Sequence, residues 1–524
     1  MVRPCTDAGT RFRWAVCQLD ALKRCLTLPS LRRALDSLPR TLNETYDRIL
    51  RNIPDQYRVD VVRILQFLAF GERPLLLEEV VDAIATTPNQ TPAFDKRNRM
   101  PRPREIARYC SSLTNITVRI LTQEERREKG LGEGEVLEIQ LAHFSVQQYL
   151  ISGTIPEPFR EELDQLRAET TIVDVSLAYL SSAAQLAEYP GDTSGLPFAQ
   201  FCAADWMEHA RAVEKSQATA SSCIDRLFNV PDVFRYWVSL YGPAWPGQSW
   251  ATPLYYASLF GLPYSVRLLF EQEKCVNAQG GFYIANSRGF GDSYLTRFRF
   301  QPEFDDSENC KYSTALQAAS RGGYEAIVRL LLEKGADVNA KGLDNSTAFQ
   351  VASLGGHEAV VRQLLKNGAH MSAHGSVNNN ALYAASRRGH EAVVRLLLEK
   401  GADVNAKGLD NSAALQVASL GGHEAIVKQL LENGAHVSAQ DGALHAASSM
   451  GHEAIVRLLL EHGAIVNDPS EEVHNAPRVA LFRRHGGRVQ ILHGHEADET
   501  AADGDHDSDH EKLTKRVKQT QRRG

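Results

Sequence analysis

Apolar residues recur along this chain at helical spacing, and between residues 250 and 468 they also follow a longer, fixed period. Ile327, Val328, Leu331 and Leu332 fall at i, i+1, i+4 and i+5, the stripe of a helix with one buried face. Ahead of them, Ala318 and Ala319 are small enough for a first helix to lie close to its neighbours. Gly335 supplies the positive φ that ends the second helix, and Asn339 and Asn345 fall where turns are expected. The Gly-Ala corner recurs at Gly335, Gly368, Gly401 and Gly434, 33 residues apart each time, and at Gly463 after a 29-residue step. An earlier copy begins at Thr252, and an extra segment near 280–312 reads as an enlarged finger loop. One such helix–turn–helix unit cannot bury its apolar face alone, so the copies must stack.

A second period of two repeats runs through the array. Residues 333–346 recur unchanged at 399–412, and 350–359 recur at 416–425, both at an offset of 66. A tandem duplication of a repeat pair accounts for this and predicts a surface that alternates two faces.

The N-terminal half is less regular. Ala15, Leu19, Leu22 and Leu26 share one helical face, as do Leu31, Ala34, Leu35 and Leu38. Thr41 and Glu44 form a capping-box pattern that opens a helix carrying Tyr46, Ile49, Leu50 and Ile53. Gly71 closes the next helix, and Pro74 precedes LLLEEVVDAIA. A Thr/Pro/Arg-rich loop (86–103) leads to an expected helix at 104–113. Two strand-like runs follow, 117–121 and 136–142, with Gly132 and Gly134 in the hairpin between them. Three helices and a hairpin predict a winged-helix arrangement. The expected divisions are 1–55 helical, 56–155 winged-helix-like, 156–250 a helical linker, 251–468 repeats, and 469–524 a disordered charged tail. The fold class is mainly α, ending in an α-solenoid.

The repeats resemble the ankyrin family, whose T-P-L-H-x-A-A signature appears as Thr252-Pro-Leu-Tyr, Thr314-Ala-Leu-Gln and Ala443-Leu-His-Ala-Ala. The likeness covers about 250–468, six repeats. The signature histidine, which in the family bridges neighbouring loops, is replaced by Gln317, Gln350, Tyr383 and Gln416, so loop rigidity is what the departure affects. The resemblance implies that a partner protein is held by the finger tips and the outer ends of the first helices, along the concave face. The positions carried over are Lys311, Ser313 and Arg321, then Leu343, Asp344, Ser346 and Leu354, then Arg387 and Arg388, then Leu409, Asp410, Ser412 and Leu420, and finally Ser449. Arg and Leu alternate along this groove.

Upstream, FRWAVCQLDALKRCL (12–26), SLPRTLNETYDRIL (37–50), HFSVQQYL (143–150) and FCAADWMEHARAVE (201–214) resemble the segment that follows the nucleotide-binding domain in NACHT-type signalling proteins of filamentous fungi. That resemblance implies self/non-self recognition or innate-type signalling. The chain contains no Gly-Lys-Ser or Gly-Lys-Thr, the tripeptide that closes a phosphate-binding loop, so no nucleotide cofactor is expected. It reads as beginning where the family's NTPase domain ends.

Composition narrows the chemistry. Of 524 residues, 58 are Lys or Arg and 64 Asp or Glu, a net charge of -6 that argues against a nucleic-acid coat. No apolar run reaches the roughly 18 residues of a membrane span, and the start lacks a secretory h-region. The eight cysteines include no C-x-x-C pair, which points away from a zinc site and towards a reducing compartment. The four glycosylation triplets, at Asn43, Asn89, Asn115 and Asn345, are then chance matches. A cytoplasmic location is expected, with the nucleus as the alternative. His143 reads as a partly buried structural histidine, and the periodic His357, His390, His423 and His452 as capping or turn residues. The basic loop 96–108 (Lys96, Arg97, Arg99, Arg102, Arg104, Arg108) is the one serious nucleic-acid candidate. No catalytic residue, metal ligand or cofactor is expected. The resulting expectation is a non-enzymatic interaction scaffold, with a nucleic-acid-binding regulator and an NTPase lacking its catalytic half as rivals.

Overall fold

The computed structural model describes residues 14–15, 18, 27–36, 38–71, 73–106, 113–119, 136–217, 222–241, 251–272, 276–278, 314–342, 346–371, 381–407, 412–437 and 442–464. Its contacts divide the chain into two units. The first comprises 1–253, 262–271 and 284–307, and the second 254–261, 272–283 and 308–524.

In the first unit, helix α1 spans Leu28–Asp36, α2 Leu42–Arg51 and α3 Asp55–Phe70. Thr41 caps α2 as its sequence predicts, its hydroxyl accepting the Glu44 N–H at 3.2 Å. Strand β1 (Leu75–Leu76) then precedes α4 (Leu77–Ala85). The apolar periodicity assigned these two leucines no strand, because their extended conformation comes from pairing with a distant segment. Strands β2 (Thr114–Arg119) and β3 (Val136–Leu141) complete an antiparallel sheet of order β1-β3-β2, with Leu75 opposite Ile139 and Thr117 opposite Glu138. Of the expected helix at 104–113, a 3-10 turn at Pro103–Glu105 and a helical Ile106 are described, and residues 107–112 lie outside the described residues, as does the hairpin turn. Glu138 of β3 is buried. Its carboxylate accepts from Arg119 Nη1 at 2.7 Å, which lets a charge sit there.

Helices α5 (Phe144–Ile151), α6 (Phe159–Glu162), α7 (Gln165–Leu186), α8 (Ala199–Gln217), α9 (Ser222–Asn229) and α10 (Pro231–Tyr241) follow. Their core is aromatic. The Trp206 and Trp237 rings meet edge-on at 5.8 Å, and the Trp237 indole N–H donates to the Ala203 carbonyl. Phe67 of α3 meets Phe198 at 5.7 Å, and Phe198 stacks on Phe201 of α8 at 5.2 Å, joining the helices around the sheet to the longer bundle.

Helices α11 (Pro253–Leu259) and α12 (Pro263–Gln272) come next in the chain, followed by five helix pairs of the second unit: α13 and α14 (Ala315–Arg321, Glu325–Glu333), α15 and α16 (Ala348–Leu354, Glu358–Lys366), α17 and α18 (Ala381–Arg388, Glu391–Glu399), α19 and α20 (Ala414–Gly421, Glu424–Glu432), and α21 and α22 (Ala443–Met450, Glu453–Glu461). The finger insertion near 280–312 lies outside the described residues. In the second unit, Ala319, Ala352, Ala385, Ala418 and Ala447 are fully buried between successive first helices, where a larger side chain would force them apart. Leu331, Leu364, Leu397, Leu430 and Leu459 are fully buried on the second helices. At Gly335 φ is +85°, and the Ala336 N–H reaches back to the Leu331 carbonyl, closing the helix as the sequence implied.

Candidate partner-binding groove

The first helices α13 and α15 begin at threonines. Thr314 and Thr347 accept the N–H of Gln317 and Gln350, whose side chains accept the threonine N–H in return. Gln317 then uses its amide Nε2–H to donate to the Ala340 carbonyl at 3.3 Å and the Ser346 carbonyl at 2.6 Å. With glutamine in place of the family's histidine, Ala340 and Ser346 are still tied to the start of α13. A primary amide has both a donor and an acceptor, so Gln317 caps its helix and anchors the loop at once.

Asparagines join neighbouring fingers. Asn339 Nδ2–H donates to the Gly368 carbonyl at 3.1 Å, and its Oδ1 accepts the His370 N–H at 2.9 Å. Asn405 repeats both bonds with Gly434 and His436. Asn277 accepts the Asp337 N–H at 2.8 Å in the same register.

The periodic histidines do something the sequence did not reveal. His357, His390, His423 and His452 occupy the N-cap positions of α16, α18, α20 and α22, yet none caps its own helix through its side chain. Each imidazole crosses to the preceding repeat. There Nε2–H donates to the carbonyl of Arg321, Leu354, Arg387 and Leu420 respectively, at 2.8, 2.9, 3.3 and 3.2 Å. Those carbonyls belong to four of the residues expected to line the groove. The expected capping position is thus found, but the side chain serves the neighbouring repeat, satisfying a helix-end carbonyl there. The signal was present in the recurrence of Gly-His at 356–357, 389–390, 422–423 and 451–452, whose glycine now has a reason. At Gly356 (φ +74°) a Cβ would lie 2.4 Å from His390 Nδ1.

Of the remaining groove candidates, Ser346, Ser412, Arg387, Arg388 and Ser449 are half-exposed, and Leu420 is 47% exposed. Lys311, Ser313, Leu343, Asp344, Leu409 and Asp410 lie outside the described residues. Sequence reasoning missed Met450, 51% exposed at the end of α21. It stands one residue past Ser449, as Arg388 stands one past Arg387, where other repeats carry Gly322, Gly355 and Gly421.

The basic loop is largely spoken for. Arg99 forks onto Asp82, which is fully buried, through Nε–Oδ1 at 2.6 Å and Nη2–Oδ2 at 2.8 Å, while the Tyr179 hydroxyl donates to the same carboxylate. Burial and the Asp82 charge push the Tyr179 phenol up, so it stays a donor. Arg97 pairs with Asp95, and Arg102 with Glu105. Arg108 lies outside the described residues. His143 caps α5, its Nδ1 accepting the Ser145 N–H. Among the described residues, no group of three or more His, Cys, Asp or Glu side chains is placed to hold a metal ion, and no helix is long and apolar enough to cross a membrane.

The family model described as ankyrin repeats (three copies) matches residues 284–375, 316–408, 372–441 and 407–470. Residues 284–470 carry ankyrin repeats. A curated relative, the azaphilone pigments biosynthesis cluster protein L of Monascus ruber, is 32% identical over 322 residues, covering 58% of this chain and 61% of that protein. The chain therefore spans less than two thirds of that relative's length. Among solved structures, the human ASB11 ankyrin repeat domain is similar at 25% identity, covering 44% of this chain and 92% of that one, with a TM-score of 0.35.

Proposed function

We propose that this chain is a non-enzymatic, cytoplasmic scaffold whose ankyrin groove holds a partner protein. The observation that carries the reading is the treatment of the groove backbone. The carbonyls of Arg321, Leu354, Arg387 and Leu420 are each tied down by a histidine of the next repeat, while Leu420 extends 47% exposed from this held frame. A pre-ordered surface loses less conformational entropy on binding, and arginine is favoured at interface centres. The alternation of Arg and Leu suits a partner with acidic and apolar features at two-repeat spacing.

The N-terminal unit supports a finer reading as a winged-helix-like adaptor with an attached bundle. The supporting features are the chain order α3, β1, α4, β2, β3 and the sheet order β1-β3-β2. The NACHT-like phrases favour a recognition or signalling context, in a protein whose own chain performs no NTPase chemistry. Against the nucleic-acid alternative stand the carboxylate partners of Arg97, Arg99 and Arg102.

A chain carrying Arg321→Glu, Arg387→Glu and Arg388→Glu should stay folded and lose its partners in pull-down from native lysate, through slower steered association and lost ion pairs. Recovery of the same partners by both proteins overturns the groove assignment. Steeply salt-dependent retention of the unaltered chain on duplex DNA would favour the alternative.

A further inference from the structure

In the first unit, α5 is joined to α2 by a chain of hydroxyls that ends on an imidazole. The phenol oxygen of Tyr46, fully buried on α2, lies 2.9 Å from Ser145 Oγ, and Ser145 Oγ lies 2.7 Å from His143 Nδ1. The Ser145 backbone N–H also donates to Nδ1, at 3.2 Å. A backbone N–H can only donate, so this bond fixes Nδ1 as an acceptor and puts the neutral ring's proton on Nε2. The hydroxyls then follow in one direction, Tyr46 donating to Ser145 and Ser145 to His143. Beside this chain the Tyr149 hydroxyl donates to Asp47, and the Tyr46 and Tyr149 rings meet at 5.2 Å.

A proton taken up by the neutral His143 ring lands on Nδ1 and reverses that order. Nδ1 can no longer accept the Ser145 N–H, so α5 loses its side-chain cap and two donors face each other. Ser145 Oγ must accept from the imidazolium and turn its own proton back towards Tyr46. The parallel link does not change with it, because burial and the bond to Asp47 push the Tyr149 phenol up and it keeps its proton. The charges that α2 brings to α5 are Asp47, already accepting from Tyr149, and Arg51. From α3 comes the Ala69 carbonyl, which accepts from Gln147, within an uncharged end, Gln66–Phe70. β3 ends in the uncharged Gln140 and Leu141, and its acid, Glu138, is held by Arg119.

We infer that His143 is a pH-sensitive latch, which holds α5 on α2 while its ring is neutral and loosens that junction when acid charges it. The bonds on both sides of Ser145 are made above the ordinary imidazole range, about pH 6.5, and are disturbed below it. All the residues of the latch belong to the first unit, so it stands apart from the groove and its partner.

Hydrogen exchange of the full chain, followed by mass spectrometry at pH 7.5 and 5.5 and corrected for the intrinsic pH dependence of exchange, reads the latch at peptides covering 144–151 and 42–51. In the unaltered chain, protection of both should fall about fivefold or more at pH 5.5, the change expected from losing one helix cap. In His143→Asn, whose amide oxygen accepts the same N–H and does not titrate, it should stay within about twofold. Peptides from α7 should respond alike in both chains, which separates the latch from a general loosening. Tyr46→Phe removes the oxygen to which Ser145 would turn its proton. It should leave 144–151 protected at pH 7.5 and deepen the loss at pH 5.5. An equal acid response at 144–151 in the unaltered chain and in His143→Asn overturns the proposal, as does undiminished protection of the unaltered chain at pH 5.5. Should His143→Asn fail to fold, Tyr46→Phe decides alone, and an acid response no deeper than that of the unaltered chain overturns it.

Discussion

The Nε2 of His390 lies 2.9 Å from the carbonyl oxygen of Leu354, 36 residues earlier, and the ring that reaches it rests against Gly356. The bond and the contact recur at His357 with Arg321 and Gly323, at His423 with Arg387 and Gly389, and at His452 with Leu420 and Gly422. Four glycine–histidine pairs thus tie the first helices α13, α15, α17 and α19 each to the following repeat.

Replacing Gly356 by Ala should destabilise the array by about 1–3 kcal/mol, through a strained positive φ and a collision with the imidazole. If the ring is the obstacle, the cost should fall by about 1 kcal/mol or more in a His390→Ala background. Urea denaturation of the four chains of this cycle decides it, and strict additivity would deny the contact.

The His390 imidazole is held below its ordinary range by burial, with the charges of His357, Arg388 and His423 acting the same way against the favourable bond to Leu354. With the folded-state pKa lowered, the unfolded chain takes up the proton first as pH falls. The site's contribution is fully present above about 6.5 and is lost as pH drops through the lowered value. Unfolding midpoints at pH 7.5 and 5.0 should therefore fall more for the unaltered chain than for His390→Gln. An equal fall in both would place the pH sensitivity elsewhere.

Leu397 and Leu459 are both fully buried at equivalent positions of α18 and α22. Leu397→Ala should cost roughly 2–5 kcal/mol. Leu459→Ala should cost less in calorimetry, because the last described repeat couples to one neighbour instead of two. A reversed order would mean that unfolding does not propagate along the stack.

Arg99→Ala should cost about 3–5 kcal/mol, since it strands the Asp82 carboxylate in a fully buried site with Tyr179 as its remaining donor. Arg97→Ala, two residues away with a side chain 89% exposed, should change stability by less than about 0.5 kcal/mol. Guanidinium denaturation compares them, and similar costs would show that the loop is a uniform surface.

The repeat architecture was legible along the chain because its determinants are local and recur. Helical stripes, Gly335-type stops and the Thr314–Gln317 box each act within a few residues, and recurrence every 33 residues separates them from chance. The Thr41 cap and the β3 run were legible for the same reason. Leu75 and Leu76 were not, because a two-residue strand exists only through Ile139 and Glu138, more than 60 residues on. The basic loop was legible as charge, but its sign alone could not reveal that Arg99 turns inward to a buried aspartate 17 residues before it. Gln317 both caps α13 and bonds the Ala340 and Ser346 carbonyls, which a residue-type comparison cannot foresee. The histidines mark the boundary most plainly. Their spacing is a property of the chain, but their function depends on which carbonyl the neighbouring repeat leaves without a partner. Stacking decides that, because hydrogen-bond partners are chosen by distance in space and not along the sequence.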